Sequence, residues 1–201
     1  MVYYVLFGIV FCFCLFISVS MHFKLRKFYD VKTKLSGFET AKKFLSDTSK
    51  KDMYIVTTSD SVNNYYDISN NAIKLSSLTF NGEDLVNTAL SILVSSDACM
   101  GNKFTDLRNK FFKYFNYVIK LCYLVIILCF LIKQEQFCYA LIIIYIFLFI
   151  CSVIYFIYVS NNINSIKDKC KKMGLSSSMD EVFDILKYRE FSLYIDTLFR
   201  R

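Results

Sequence analysis

Long stretches without a charged residue constrain this chain more than any other feature of its sequence. Residues 137–160 are 24 consecutive uncharged residues, and residues 2–20 form a similar run of 19. A helix needs about 20 apolar residues to cross the hydrocarbon core of a bilayer. The chain is also 55% hydrophobic, above the roughly 45–50% of ordinary soluble domains. The pattern predicts an integral membrane protein whose partner is the lipid bilayer.

A third apolar run lies between these two. Residues 114–132 contain one charged residue, Lys120, which we expect to reach toward the cytoplasmic interface or to pair within a helix bundle. Residues 161–201 contain a second capping box, at Ser178 and Glu181, but too many charges for a span. We expect this cytoplasmic helical tail to pack on a cytoplasmic module or to lie on the membrane. The predicted transmembrane helices are residues 1–21, 106–133 and 137–160.

The first run has an alternative interpretation as a cleavable signal peptide. Ser18 and Ser20 loosely satisfy the small-x-small cleavage rule, but the run lacks a preceding basic region and is longer than a typical signal-peptide core. Basic residues follow the first run, and lysines also follow the last run. By the positive-inside rule both of these flanks lie inside the cell. The expected location is the cell membrane, multi-pass, with the N-terminus outside and the C-terminus cytoplasmic.

Residues 22–105 carry the shorter signals of a cytoplasmic α+β module. Ser36 and Glu39 form a capping box that predicts a short helix. Residues 54–58 and 72–75 predict two strands separated by a polar, turn-rich stretch. The predicted fold class is therefore a predominantly α membrane protein, with three transmembrane helices and a small cytoplasmic α+β module that contains a short sheet.

Residues 81–101 predict a further helix, which ends just before the second span. Asn81 is the expected N-cap residue, and Glu83 and Asp84 lie where the helix dipole favours anions. An apolar body follows. The helix then ends in small and polar residues, namely Ser95, Ser96, Asp97, Ala98, Cys99 and Met100.

Charge and cysteine content argue against two other classes of protein. The net charge of +7 reflects basic residues that flank the apolar runs, and no basic face interleaved with exposed aromatic residues is evident, so we expect no nucleic-acid partner. Six of the eight cysteines lie inside apolar segments, where they serve as small hydrophobic residues. A disulfide-bonded secreted domain is therefore not expected.

The order of these parts resembles the YugP-type neutral zinc metallopeptidases, a family of bacterial membrane proteins. The corresponding segments are Leu35-Ser36-Gly37-Phe38-Glu39, Tyr65-Tyr66-Asp67-Ile68, Ile73-Lys74-Leu75-Ser76, Asn81-Gly82, Leu107-Arg108-Asn109 and Lys172-Met173-Gly174-Leu175. The resemblance implies a helix bearing HExxH, followed by two spans and a third acidic ligand. In such a site two histidines hold zinc and the glutamate is the general base.

That metal-binding motif is missing from this sequence. Alignment places HExxH at either 93–97 or 96–100, and neither segment contains a histidine. The only histidine is His22, and the expected position of the acidic ligand, 159–164, contains no carboxylate. We therefore expect no catalytic residue, no metal-binding residue and no cofactor. The degenerate site region comprises Ser95, Ser96, Asp97, Cys99 and Met100.

Other interpretations remain open at this point. An active zinc peptidase would take ligands from a partner chain or from unrecognised residues, and a replacement metal site would combine Asp97 and Cys99 with His22. A serine hydrolase would use Ser95 or Ser96, although no base is identifiable. A last interpretation is an unrelated, lineage-specific small membrane protein. The leading hypothesis is a catalytically inactive, peptidase-like membrane protein with a residual binding or structural role and an unidentified membrane or cytoplasmic protein partner.

The charge pattern makes a prediction about topology. A reporter fused after Arg201 should be cytoplasmic, because basic residues follow both the first and the last apolar run. Parallel fusions to alkaline phosphatase and to a fluorescent protein at this position distinguish the two sides of the membrane. Phosphatase activity on the outer side would contradict the predicted orientation.

Overall fold

The computed structural model describes residues 2–46, 48–58, 64–99, 114, 117–128, 135–175 and 178–199. The helices are α1 (Val2–Tyr29), α2 (Gly37–Ser46), α3 (Ser77–Asn81), α4 (Leu85–Cys99), α5 (Tyr117–Leu128), α6 (Glu135–Lys172), α7 (Ser178–Leu186) and α8 (Arg189–Phe199). The strands are β1 (Tyr54–Thr58), β2 (Tyr65–Asp67) and β3 (Ala72–Ser76). The prediction of a mostly helical chain with a short sheet is confirmed.

Helices α1 and α6 are both long and apolar enough to cross a membrane. Their most apolar 18-residue segments have mean hydropathies of 2.4 and 2.9. The two helices run side by side in the same direction. The ring centroids of Tyr3 and Tyr139 are 5.1 Å apart, and those of Phe13 and Phe149 are 5.8 Å apart. Helix α6 continues without a break to Lys172, twelve residues beyond the predicted end of the span at residue 160.

Helix α5 is the described part of the predicted span at 106–133. It packs on α1 and α6 through Tyr123, whose ring centroid is 6.1 Å from that of Phe7 and 5.5 Å from that of Tyr145. Residues 106–113, 115–116 and 129–133 of this predicted span lie outside the described residues. Within the described part of the span, α5 is a short apolar helix.

The sheet has the order β1-β3-β2, with β1 parallel and β2 antiparallel to β3. The predicted strands at 54–58 and 72–75 are confirmed. Strand β2, which the sequence did not predict, occupies residues 65–67 of the stretch described as turn-rich, and the turn follows at residues 68–71, where Asn71 has a φ of 46°. Only three residues form β2, and both tyrosines in it, Tyr65 and Tyr66, are buried. Pairing with β3 and side-chain burial stabilise this strand, and neither is a local sequence signal.

The start of α4 differs from the predicted helix at 81–101. Asn81 ends α3, and the N-terminal cap of α4 is provided by Asp84, whose Oδ1 accepts hydrogen bonds from the backbone N–H groups of Val86 and Asn87 at 3.1 and 2.9 Å. The prediction of Asn81 as the cap is therefore wrong. The physical reason is that Ser76 caps a separate short helix by accepting from the Thr79 N–H at 3.2 Å.

The predicted capping box at Ser36 and Glu39 is confirmed. The Ser36 N–H donates to Glu39 Oε2 at 2.9 Å, and the Glu39 N–H donates to Ser36 Oγ at 3.3 Å. This box starts α2 beside the loop before α4, because the Gly37 N–H also donates to the Gly82 carbonyl at 2.9 Å. Apolar residues of α2, Phe44 among them, pack against α4.

Helices α7 and α8 fold the tail back onto the rest of the chain. Helix α7 packs on α1, α4 and α6, whereas α8 lies against α1 and α6. The expected packing on the module therefore describes α7. Residues 190–196 of α8 are all buried, and α8 instead packs along the apolar helices, with Phe191 against Phe13 and Phe149. Burial raises the pKa of Tyr194 in α8 well above its ordinary value, so its neutral hydroxyl shares a hydrogen bond with Ser152 at 3.1 Å.

The contact at Gly37 makes a stability prediction. A Cβ atom at this position would lie 1.9 Å from the Thr79 carbonyl oxygen, so Gly37→Ala must displace α3 or α2. We expect it to lower the free energy of unfolding by about 1–3 kcal/mol or more. The matched control is Gly8→Ala, since a Cβ atom there meets nothing within 4 Å. Equal unfolding midpoints for the two variants in detergent would contradict this packing.

Candidate functional site

Helix α4 carries the candidate site and is buried along almost its whole length. Twelve of its residues, from Leu85 to Ala98, are buried. Its neighbours are α1, α2, α3, α7 and the sheet, so polar side chains on α4 need hydrogen-bond partners within the protein.

The two candidate serines bond to their own helix. Ser95 Oγ donates to the Ser91 carbonyl at 2.8 Å, and Ser96 Oγ donates to the Leu93 carbonyl at 2.7 Å. Both residues are at most 2% exposed. A hydroxyl engaged in this way and shielded from solvent is not poised as a nucleophile, since an activating base must lie within hydrogen-bond reach.

Asp97 lies in the last turn of α4 and is 5% exposed. The hydroxyl of Tyr155 on α6 lies 2.8 Å from both of its carboxylate oxygens and donates to them. A buried carboxylate requires such donors because burial removes its hydration. This contact joins α4 to α6 across 58 positions of sequence.

A small cavity of about 20 Å³ adjoins this contact. It is lined by Leu93, Asp97, Tyr155, Val159, Leu186, Lys187, Arg189 and Glu190. A second carboxylate residue and two cationic residues therefore line the same cavity as Asp97. The volume is of the order needed for one water molecule. The cavity has no space for a peptide.

The geometry brings together the two chain segments that the family resemblance singled out. Val159 belongs to the stretch where a third acidic ligand was expected, and it lines the same cavity as Asp97. With HExxH aligned at 96–100, Asp97 takes the place of the glutamate. The fold therefore places the end of α4 against the part of α6 around Val159. The residues at this junction are apolar residues together with serine, tyrosine and aspartate.

Cys99 and Met100 complete the predicted site region. Cys99 is half-buried and packs against two hydrophobic clusters around α4. Met100 lies outside the described residues. The structure thus describes four of the five residues of the region and places them in packing contacts of α4.

His22 lies elsewhere, in a separate polar cluster between α1 and α8. Its Nε2 is 2.9 Å from Asp196 Oδ1, which also accepts from Ser18 Oγ at 2.9 Å. Ser192 Oγ donates to Asp196 Oδ2 at 3.2 Å. The sequence interpretation missed Asp196. The sequence did contain a sign of this cluster. Ser18 and His22 are four residues apart, as are Ser192 and Asp196, so each pair lies on one helical face.

This polar cluster adjoins a larger cavity of about 530 Å³. Its walls come from α1, α3, α4, α7 and α8 and from the starts or ends of the strands: Met21, His22, Leu25, Tyr29, Asn64, Ser76, Leu78, Thr79, Val86, Asn87, Leu90, Leu186, Arg189, Ser192, Leu193 and Asp196. The volume lies in the range of ligand pockets, about 300–1,000 Å³. This cavity lies beside α4 and combines apolar walls with convergent polar groups.

The residues at the end of α4 do not fit a zinc ion. A catalytic zinc site needs three protein ligands and an open position for water. Asp97 instead accepts hydrogen bonds from Tyr155, and His22 pairs with Asp196. In the described ranges, no group of three or more His, Cys, Asp or Glu side chains is arranged to hold a metal ion. The proposed replacement site of Asp97, Cys99 and His22 is therefore not assembled.

Comparison with known proteins identifies the family. Residues 3–161 match the family model described as "Putative neutral zinc metallopeptidase". No curated protein and no solved structure matches the chain. The matched region includes α1, the sheet, all of α4 and most of α6, so it covers both segments that meet at Asp97. The interpretation as an unrelated membrane protein is thereby excluded, and the chain belongs to the neutral zinc metallopeptidase family.

Proposed function

We propose that this protein is a membrane-anchored member of the family that lacks peptidase chemistry and keeps a binding or structural role. The observation that supports this most strongly is the contact between Asp97 and Tyr155. In the place of a metal-binding turn, the end of α4 has a carboxylate held by a phenol at 2.8 Å. A hydrolytic zinc site needs access for water and substrate, whereas the adjoining cavity is about 20 Å³.

The chemistry of the surrounding charges agrees with this proposal. Lys187 and Arg189 line the same cavity as Asp97 and Glu190. A divalent cation would have to share this cavity of about 20 Å³ with both cationic side chains. Asp97 has a structural function instead, which is to join α4 to α6 through the hydroxyl of Tyr155.

The membrane part of the proposal rests on α1 and α6. In the most apolar 18-residue segment of each helix, only 17% of α1 and 22% of α6 is buried within the protein, whereas the core helix of a soluble protein would be mostly buried. Exposed residues in these segments include Phe16 and Phe147, at 73% and 62% exposure. Lipid is the solvent that suits such surfaces. With α5 as part of a third span, this is a multi-pass protein of the cell membrane.

The orientation follows from the parallel arrangement of these helices. Because α1 and α6 run in the same direction, their C-terminal ends lie on the same side, and basic residues follow both apolar segments. The positive-inside rule places that side in the cytoplasm. The module at 22–105 and α7 then lie on the cytoplasmic side, where a protein partner would be met, whereas α8 packs against the spans, with Phe191 beside Phe13 and Phe149.

The rival function is that of an active zinc peptidase, which family membership favours. Metal analysis of the purified protein separates the two. We expect less than stoichiometric zinc and no peptide hydrolysis above the blank, because the residues at the end of α4 do not form a ligand set. Stoichiometric zinc that is lost in Asp97→Ala or Cys99→Ala would overturn the proposal.

A structural role of Asp97 predicts a stability effect at its partner. Tyr155→Phe removes the hydroxyl donor from a buried carboxylate, so we expect a loss of about 1–3 kcal/mol in the free energy of unfolding. Tyr54→Phe is the matched control, because the Tyr54 side chain is 72% exposed and its hydroxyl deletion should change stability by less than about 0.5 kcal/mol. Denaturant titration in detergent measures both. Similar midpoints would show that the contact contributes little.

A further inference from the structure

A groove lies between the C-terminal end of α1 and the segment from α7 into the turn before α8. It encloses about 1,000 Å³. The α1 wall consists of Phe23, Lys24, Arg26, Lys27 and Asp30, and the opposite wall consists of Glu181, Asp184, Ile185, Lys187 and Tyr188. We call this the basic groove. It shares Lys187 with the small cavity beside Asp97 and shares no lining residue with the larger cavity beside α4.

Two of its acidic side chains already have cationic partners. Glu181 Oε1 is 2.7 Å from Lys27 Nζ, and Asp184 Oδ1 is 2.8 Å from Lys167 Nζ. In the described part of the chain, three cationic residues of the groove show no ion pair. These cations are Lys24, Arg26 and Lys187. Among the acidic residues of the groove, Asp30 alone shows none there. The groove therefore has an excess of positive charge available to a ligand.

A smaller apolar cleft of about 270 Å³ continues the basic groove toward the membrane. The two share Lys24, Asp184, Ile185 and Tyr188, and the cleft adds Phe16, Ile17, Ser20 and Met21. On α1, the spacing of Ile17, Ser20, Lys24 and Lys27 places these residues on one helical face. Along this face an apolar surface changes to a basic one.

The length of this surface matches one leaflet of a bilayer. From Phe16 to Lys27 a helix rises about 16 Å, and half of the hydrocarbon core is about 15 Å. Phe16 is 73% exposed and Phe23 is 80% exposed, so the helix presents aromatic rings to lipid beside the groove. A ligand that fits this surface has an apolar chain and an anionic end.

We propose that the basic groove binds one anionic phospholipid of the cytoplasmic leaflet. The phosphate lies at Lys24, Arg26 and Lys187, and an acyl chain lies along Phe16 and Ile17. Charge-assisted hydrogen bonds from these cations favour a lipid with net negative charge over a zwitterionic one. The inference rests on the proposed membrane insertion of α1.

Native mass spectrometry of the full chain in detergent tests the proposal. Titration with phosphatidylglycerol should give one tightly bound lipid, and phosphatidylcholine with the same acyl chains should bind at least about tenfold more weakly. Lys24→Ala combined with Lys187→Ala should weaken phosphatidylglycerol binding roughly 10- to 30-fold. The matched control combines Lys42→Ala with Lys51→Ala, which removes two exposed lysines outside the groove and should keep wild-type affinity.

Three outcomes would overturn the proposal. Equal binding of the two lipids would show no selection for charge, and an equal loss in both double variants would show a general effect of net charge. Competition by glycerol 3-phosphate at the same concentrations as the lipid would identify a soluble phosphate ligand. Unfolding midpoints without lipid verify that each variant is folded.

Carbonate extraction of membranes distinguishes a failure of the lipid-binding proposal from a failure of the proposed membrane insertion. If the wild-type protein is released by carbonate, the membrane insertion on which both proposals rest is wrong. If it stays in the membrane but shows no preference for phosphatidylglycerol, the lipid site alone is wrong.

Discussion

The burial of α4 on almost every side is the constraint on which the rest of the structure depends. A surrounded helix cannot leave serine or aspartate side chains to water, so each must find a partner in the protein. Ser95 and Ser96 bond to their own helix, and Asp97 accepts from Tyr155 on the long helix α6. This last contact ties the module to the helix that is apolar enough to cross a membrane.

The same constraint is consistent with the proposed retention of a peptidase scaffold without its chemistry. The end of α4 meets α6 near Val159, and this junction is part of the packing of the fold. A zinc site at such a junction would require imidazole ligands and an open coordination position. Here a tyrosine and an aspartate stabilise the junction instead, so the contact between helices remains although the metal ligands do not.

Helix α8 connects the two parts of the protein in a further way. It inserts its buried face between α1 and α6, and Asp196 accepts from Ser18 while it pairs with His22. Nearby, α7 and the end of α1 form the walls of the basic groove. The C-terminal tail is therefore an integral part of the packing around α1, and the proposed lipid contact would act on the same interface.

The sequence by itself determined the features that depend on neighbouring residues. Uncharged runs indicated α1 and α6 because length and hydropathy are local properties, the capping box at Ser36 started α2, and β-branched residues marked β1. The sequence also shows directly that no histidine lies at the end of α4. The order of its short motifs was sufficient to identify the family. Strand β2 was not predicted from the sequence, because its three residues form a strand only through pairing with β3.

Only the tertiary structure decided which distant residues meet. Asp84 rather than Asn81 caps α4, because Ser76 starts a separate helix whose last residue is Asn81. Asp97 was visible in the sequence as a polar residue at a helix end, but its partner Tyr155 lies 58 positions away inside an apolar run. His22 likewise meets Asp196 across 174 positions. Such pairs depend on how helices pack in three dimensions, which local propensity and hydrophobic pattern do not encode.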